Sequence, residues 1–118
     1  MGPLAGIRVL ELEGMGPGPF CGMMLADMGA EVLVIARRPE NVTRSRFDIL
    51  SRNKKVIALE LKNDTGRAVF LDLITAAAMV IDPFRPGVTE RLGIGPDHCR
   101  ARNPALVYGR MTGWGQTG

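Results

Sequence analysis

Residues 7–36 read IRVLELEGMGPGPFCGMMLADMGAEVLVIA. The alternation of apolar and charged residues at the start predicts a strand over Ile7–Leu12. After two prolines, the apolar spacing predicts a helix over Phe20–Met28, with Gly29 at its C-terminal cap. Glu31–Ala36 is nearly continuous in apolar residues, which is typical of a strand buried in a parallel sheet. The stretch therefore predicts a strand-helix-strand unit.

The rest of the chain continues this alternation. Residues 37–54 form a long polar connection, with a short helix expected near Phe47–Leu50. Strands separated by helices of 10–15 residues indicate an α/β fold with a mainly parallel sheet. The further elements predicted are strands over Lys55–Leu61, Met79–Asp82 and Leu106–Met111, and helices from Asn63 or Asp64, from Pro86-Gly87 to Leu92, and from Gly95 to Arg102.

Length and composition exclude several classes of protein. The 118 residues are 46% apolar and 23% charged, which fits one globular domain at most and excludes bulk disorder. No apolar run approaches the roughly 18 residues of a membrane span, and no secretory signal is visible. Two cysteines make no disulfide framework. We therefore expect a cytoplasmic protein without a membrane partner.

The net charge of +3 is unevenly distributed. Residues 37–62 hold eight basic and three acidic side chains, so this window carries +5 and the rest of the chain −2. Such a basic patch favours an anionic partner. Nucleic acid fits poorly, because the patch has one aromatic residue, Phe47, and no nucleic-acid motif. A phosphorylated small molecule fits better, and a merely solvated loop is the alternative.

Basic residues follow successive predicted strands. Parallel sheets bind ligands beyond the carboxyl ends of their strands, where Arg37-Arg38 and Lys62 fall. Guanidinium groups suit phosphates, although such residues are often simply exposed. After the fourth strand, Phe84 and Arg85 either line a pocket or belong to a rigid connector between Pro83 and Pro86.

The glycine-rich segment after the first strand does not complete the dinucleotide fingerprint. Counted from Gly14 or from Gly16, the third glycine is replaced by Pro19 or Cys21. Arg37-Arg38 also stand where an acidic residue would bind a ribose hydroxyl. Standard dinucleotide binding is therefore disfavoured.

No metal or catalytic site is predicted. His98 is the only histidine, and it lies in a polar helix start where we expect it on the surface. Its neighbour Cys99 does not complete a tetrahedral metal site, and adjacent residues on a helix point apart. Cys21 is expected to pack as a small apolar residue.

Several blocks of the sequence, taken together, resemble a known family. In order and spacing they are similar to the class III CoA-transferase family, and within it to the racemases of α-methylacyl-CoA thioesters. The blocks are Leu4–Glu11, Gly16–Phe20, Leu25–Val32, Arg52–Lys55, Phe84–Gly93 and Tyr108–Gly118.

The resemblance implies that residues 1–118 are the N-terminal part of a CoA-binding domain. Its fold would be Rossmann-like, with helices on both faces of the sheet, and two chains would interlock as a homodimer. The CoA would be carried as part of an acyl-CoA thioester substrate, with no other cofactor required. The positions matching the family's CoA contacts are Met15, Arg37, Leu59, Lys62, Pro83, Arg91 and Leu92.

The resemblance also implies that the catalytic groups lie elsewhere. The family's acid/base His and Asp follow the stretch that ends here at Gly118, so no catalytic residue is assigned and the chain alone is expected to be inactive. The implied function is the CoA-thioester-binding portion of a racemase that moves a proton at the acyl α-carbon. A class III CoA-transferase moving CoA between carboxylic acids, or a non-catalytic CoA-binding fragment, remain alternatives.

Overall fold

The computed structural model describes residues 2–14, 16–45 and 49–112. Its five strands form one sheet in the order β3-β2-β1-β4-β5, and every neighbouring pair is parallel. The predicted α/β fold with a mainly parallel sheet is confirmed. In chain order the elements are β1 Arg8–Leu12, α1 Pro17–Asp27, β2 Glu31–Ala36, α2 Pro39–Ser45, a 3₁₀ turn Ile49–Ser51, β3 Lys54–Ala58, α3 Asp64–Ile74, β4 Met79–Asp82, α4 Val88–Leu92, α5 Pro96–Arg102 and β5 Val107–Arg110.

Helices cover both faces of the sheet. Because side chains alternate along a strand, Val9 and Leu10 face opposite ways. Leu10 belongs to a buried cluster with Phe70 of α3 and Cys99 of α5. Val9 belongs to a second cluster with Ala26 of α1. The two clusters explain why apolar residues are nearly continuous in the central strands.

The strand order reverses between β1 and β4. At such a switch point the connections leave in opposite directions, which opens a crevice at the carboxyl ends of the strands. Here Pro83 fills the gap between them, since a Cβ added to Gly14 would lie 2.5 Å from its ring and one added to Gly18 3.0 Å away. The open space is displaced toward β2 and β3.

Two predictions for residues 37–62 are corrected by the structure. The polar connection, in which no helix was expected before Phe47, contains helix α2, which begins at Pro39, a residue whose fixed φ suits a first helical turn. The 3₁₀ turn at Ile49–Ser51 overlaps the short helix expected near Phe47–Leu50, of which Phe47 lies outside the described residues. Strand β3 ends at Ala58 instead of Leu61, because its partner β2 ends at Ala36.

Helix α1 starts earlier than predicted, at Pro17 instead of Phe20. The prolines need no partner for a backbone N–H in the first helical turn, so they begin the helix instead of preceding it. Among the described residues, no helix is long and apolar enough to cross a membrane.

Candidate ligand-binding site

A cavity of about 450 Å³ lies beyond the carboxyl ends of β2 and β3 and is closed on one side by α4. Each wall comes from a segment that follows a strand: Arg37-Arg38 after β2, residues 59–62 after β3, and Phe84 after β4. This is the region where a parallel sheet of this topology binds ligands.

Four basic side chains surround the cavity: Arg37, Arg38, Lys62 and Arg91. All four are exposed, and within the described residues none of them forms an ion pair with an acidic side chain. The one acidic residue of the lining is Glu60, whose carboxylate accepts a hydrogen bond from the backbone N–H of Lys62 at 3.0 Å. The cavity therefore has an excess of positive charge available to an anion.

The remaining wall is apolar. Leu59, Leu61, Val88 and Leu92 line the cavity together with the ring of Phe84. The guanidinium carbon of Arg37 lies 4.7 Å from the centroid of that ring, in a cation–π contact. The combination of a flat aromatic-guanidinium surface with free cations suits a ligand that has both a ring and phosphate groups.

The basic segment after β2 is fixed by a side chain from the end of β1. The Glu13 carboxylate accepts the backbone N–H of Arg37 at 3.0 Å and the side-chain amide of Asn41 at 3.1 Å. The backbone N–H of Leu59 donates to the Ala36 carbonyl at 2.9 Å, which extends the strand contact by one residue. The cavity wall is thus built directly on the sheet.

Helix α4 forms the opposite wall. It begins after Gly87 and ends before Gly93, and both glycines have positive φ, 89° and 80°. These conformations favour glycine and allow a helix of only five residues to be inserted between turns. The Arg91 side chain folds over Gly87, where an added Cβ would lie 3.1 Å from a guanidinium nitrogen.

A polar network lies behind α4, on the side away from the cavity. Buried Asp82 accepts hydrogen bonds from the Phe84 N–H at 2.9 Å and from the Thr89 hydroxyl at 3.1 Å. Arg110 donates to the Thr89 hydroxyl oxygen at 3.0 Å and lies 2.7 Å from the Glu90 carboxylate. The hydrogen bond from Arg110 lowers the pKa of Glu90 below its ordinary value.

Two further groups near this network have raised pKa values. Burial raises the pKa of the Tyr108 phenol, whose hydroxyl donates to the Ile94 carbonyl at 3.1 Å. Burial, with a smaller effect of Asp82, raises the pKa of the Cys99 thiol to about 11. Neither group lines the cavity.

The structure brings together five of the seven positions predicted to contact CoA: Arg37, Leu59, Lys62, Arg91 and Leu92. Pro83 does not line the cavity, because its ring packs against the loop after β1. Met15 lies outside the described residues. Their role in binding CoA stays a prediction.

Sequence reasoning missed three lining residues, namely Glu60, Leu61 and Val88. Val88 could have been found, because it lies three and four residues before Arg91 and Leu92, on the same side of α4. Glu60 gave no signal, since an acidic residue is unexpected beside an anion site. His98 is exposed on α5, as predicted.

A second cavity, of about 430 Å³, lies at the opposite end of the sheet. It is bounded by the amino ends of β1 to β3 and by the C-terminal half of α3, and its walls include Leu33, Leu73 and Ala76. Arg8 at its rim is paired with Glu31 at 2.9 Å. Its lining holds two basic residues, Arg8 and Lys55, and two acidic ones, Glu31 and Asp72, so it lacks the excess of positive charge of the first cavity.

Comparison with known proteins identifies relatives along the whole chain. It is 44% identical over 115 residues to the α-methylacyl-CoA racemase of Mus musculus, covering 98% of this chain and 29% of that protein. It is 38% identical over 128 residues to the succinyl-CoA–D-citramalate CoA-transferase of Chloroflexus aurantiacus, covering 98% of this chain and 32% of that protein. The chain thus spans about a third of the length of these relatives.

Solved structures show the same fold. A hypothetical protein of Mycobacterium tuberculosis matches with a TM-score of 0.90 and 37% identity, over 100% of this chain and 35% of that chain. A short chain dehydrogenase/reductase family protein matches with a TM-score of 0.56 and 17% identity, over 70% of this chain and 36% of that chain, and shows the Rossmann-like fold alone. The sequence model of CoA-transferase family III matches residues 4–118. The chain belongs to CoA-transferase family III.

Proposed function

We propose that the cavity beside α4 binds the CoA portion of an acyl-CoA thioester, and that this chain is the CoA-binding part of an α-methylacyl-CoA racemase. The observation that carries the proposal is the group of free cations facing an apolar wall at the carboxyl ends of β2 and β3. CoA combines phosphate groups with a flat adenine ring, so it matches both features. The 44% identity to the mouse racemase supports the choice of reaction.

In such a racemase, the thioester makes the α-proton of the acyl group removable. One side chain takes the proton, and another returns it on the opposite face through an enolate. Two candidates for these roles, His98 and Asp82, do not suit them. His98 is exposed on α5, away from the cavity, and Asp82 is buried and hydrogen-bonded within the network behind α4. We therefore expect residues 1–118 to bind CoA without catalysing proton exchange.

CoA transfer between carboxylic acids is the second candidate. The relative from Chloroflexus aurantiacus is a CoA-transferase and is 38% identical to this chain, so the family includes both reactions. The two reactions share the CoA site and differ in what happens at the acyl group. Their products therefore distinguish them, whereas CoA affinity does not.

Removing Arg37 should weaken CoA binding. Loss of a hydrogen-bonded charge contact should lower the affinity of Arg37→Ala about tenfold or more, and raising the salt concentration should weaken the wild-type complex. Calorimetric titration with CoA at low and high salt measures both effects. Arg100→Ala is the matched control, because it removes an exposed arginine of α5 that does not line the cavity. Equal affinities of Arg37→Ala and wild type would contradict the assignment.

Deuterium incorporation tests the reaction. The chain, and the complete product of its gene where the reading frame continues past residue 118, are incubated in heavy water with a 2-methylacyl-CoA. We expect α-proton exchange by the longer product and none by residues 1–118. Exchange by the short chain would show that it holds catalytic groups. CoA transfer to a free acid without exchange would favour the transferase, and neither reaction would favour a binding module.

A further inference from the structure

Helix α4 cannot hold its position by its own hydrogen bonds. Five residues make little more than one helical turn, and isolated helices of that length are unstable in water. Turns with positive φ at Gly87 and Gly93 separate it from the rest of the chain. Contacts from the side chains of α4 must therefore fix its place against the sheet.

The side chains of α4 lie on two sides of the helix, one facing the cavity and one facing the sheet. At 100° per residue, Val88, Arg91 and Leu92 share one side of the helix, and these three line the cavity. Thr89 and Glu90 lie on the other side. Thr89 is completely buried, while its neighbours in the cavity wall are not.

Residues from two strands form hydrogen bonds with Thr89 on the side of α4 away from the cavity. Asp82 at the end of β4 lies 3.1 Å from the Thr89 hydroxyl, and Arg110 of β5 donates to the same oxygen at 3.0 Å. The hydroxyl also lies 3.2 Å from Glu90, so its single proton is donated to one carboxylate at a time. Arg110 in turn is 2.7 Å from Glu90 and 3.4 Å from Asp82. Because the Thr89 hydroxyl can donate to Asp82 of β4 and accepts from Arg110 of β5, it connects α4 to both strands.

We propose that Thr89 is a positioning residue for CoA binding: held by Asp82 and Arg110, it fixes α4 so that Arg91 faces the cavity. The inference rests on the proposed function, because it requires that the cavity bind CoA. Thr89 itself touches no ligand, since it is buried on the side of α4 away from the cavity. Thr89 therefore affects CoA affinity only by holding Arg91 in place, so the effect requires the Arg91 side chain.

A double-mutant cycle tests this dependence. CoA affinity is measured by calorimetry for the wild type, Thr89→Val, Arg91→Ala and the double variant. Thr89→Val keeps the shape and removes the hydroxyl, and we expect it to weaken binding about 5- to 10-fold. In the Arg91→Ala background the same change should weaken binding less than about twofold, because coupled residues are not additive. Thr89→Ser, which keeps the hydroxyl, should bind within about twofold of wild type.

Thr75→Val is the matched control. It removes the hydroxyl of an exposed threonine at the end of α3, which donates to the Asp72 carbonyl far from the cavity wall, and it should bind CoA like wild type. Circular dichroism establishes that each variant is folded. If Thr89→Val does not fold, Arg110→Met replaces it in the cycle, because Arg110 is partly exposed and its loss removes the hydrogen bond to the Thr89 hydroxyl.

The outcomes distinguish an error in the proposed function from an error in the positioning role of Thr89. If the wild type itself binds no CoA, the proposed function is wrong and the inference falls with it. If the wild type binds CoA but the Thr89 variant, or its Arg110 replacement, binds equally well, the positioning role is wrong and the proposed function stands. Equal weakening with and without Arg91 also overturns the inference, because it would show a general loss of structure.

Discussion

At the scale of single residues, the interior of this chain contains a charged pair directly under a helix. The Glu11 carboxylate lies 2.7 Å from the Lys54 ammonium, and their side chains are only 3% and 1% exposed. Lys54 also donates to the Pro19 carbonyl at 2.9 Å, in the first turn of α1. Removing two charges from water is costly, and the pair is tolerated only while its geometry is preserved.

Gly22 makes room for this pair. A Cβ at position 22 would overlap the Glu11 carboxylate and lie 3.1 Å from the Lys54 nitrogen. The glycine is therefore required by close approach, although alanine is usually the better residue in a helix.

Gly22→Ala should consequently destabilise the chain instead of stabilising it. Displacing Glu11 from Lys54 while crowding α1 against the sheet should lower the free energy of unfolding by about 2–4 kcal/mol. Urea unfolding followed by circular dichroism measures the change. Arg100→Ala, at an exposed position of α5, is the control and should change stability by less than about 0.5 kcal/mol. A Gly22→Ala variant as stable as wild type would show that Glu11 and Lys54 can rearrange freely.

At the scale of elements, most of the fold could be predicted because apolar periodicity marks buried segments. Strands β1, β2 and β4 were recognisable from their alternating or continuous apolar residues, since they lie in the middle of the sheet. Helix α3 was recognisable from its N-terminal cap, where the Asn63 side chain accepts the Gly66 N–H at 2.7 Å. These signals are local, so they can be recognised in the sequence without knowledge of the tertiary structure.

The elements that were misjudged depend on their neighbours. Helix α2 is polar and lies next to β3, so its sequence shows no apolar stripe by which it could be recognised. Strand β3 lies at one edge of the sheet, and its end is set by the length of β2 instead of its own sequence. The apolar residues Leu59 and Leu61 follow it and serve the cavity and the core.

In the candidate site, too, some features could be predicted from local sequence and others depend on the tertiary structure. Arg37 and Lys62 could be predicted because they follow strands whose ends meet at one edge of the sheet. The network behind α4 could not, because Asp82, Thr89 and Arg110 come from three separate elements. Only the crossover that places β5 beside β4 brings them together.

At the scale of the whole molecule, the outer side of helix α1 exposes several large apolar side chains to water. Helix α1 buries its inner side against the sheet, yet Phe20 and Met24 on its outer side are 51% and 47% exposed. Met28, one turn further, is 38% exposed. On the same face of the sheet, Val107 at the start of β5 is 58% exposed. A helix that is apolar all round is typical of a buried position.

We therefore predict that the chain associates with a second copy through the outer side of α1. Sedimentation velocity over micromolar concentrations should show dimers or larger assemblies of the wild type, because association buries apolar side chains that are otherwise hydrated. The double variant Phe20→Ser, Met24→Ser should shift the distribution toward monomer. Val69→Ser, which changes an exposed apolar residue of α3 on the opposite face, should leave the distribution unchanged. A wild-type chain that sediments as a monomer throughout would contradict self-association, and assembly unaffected by the α1 variant would move the interface to another surface.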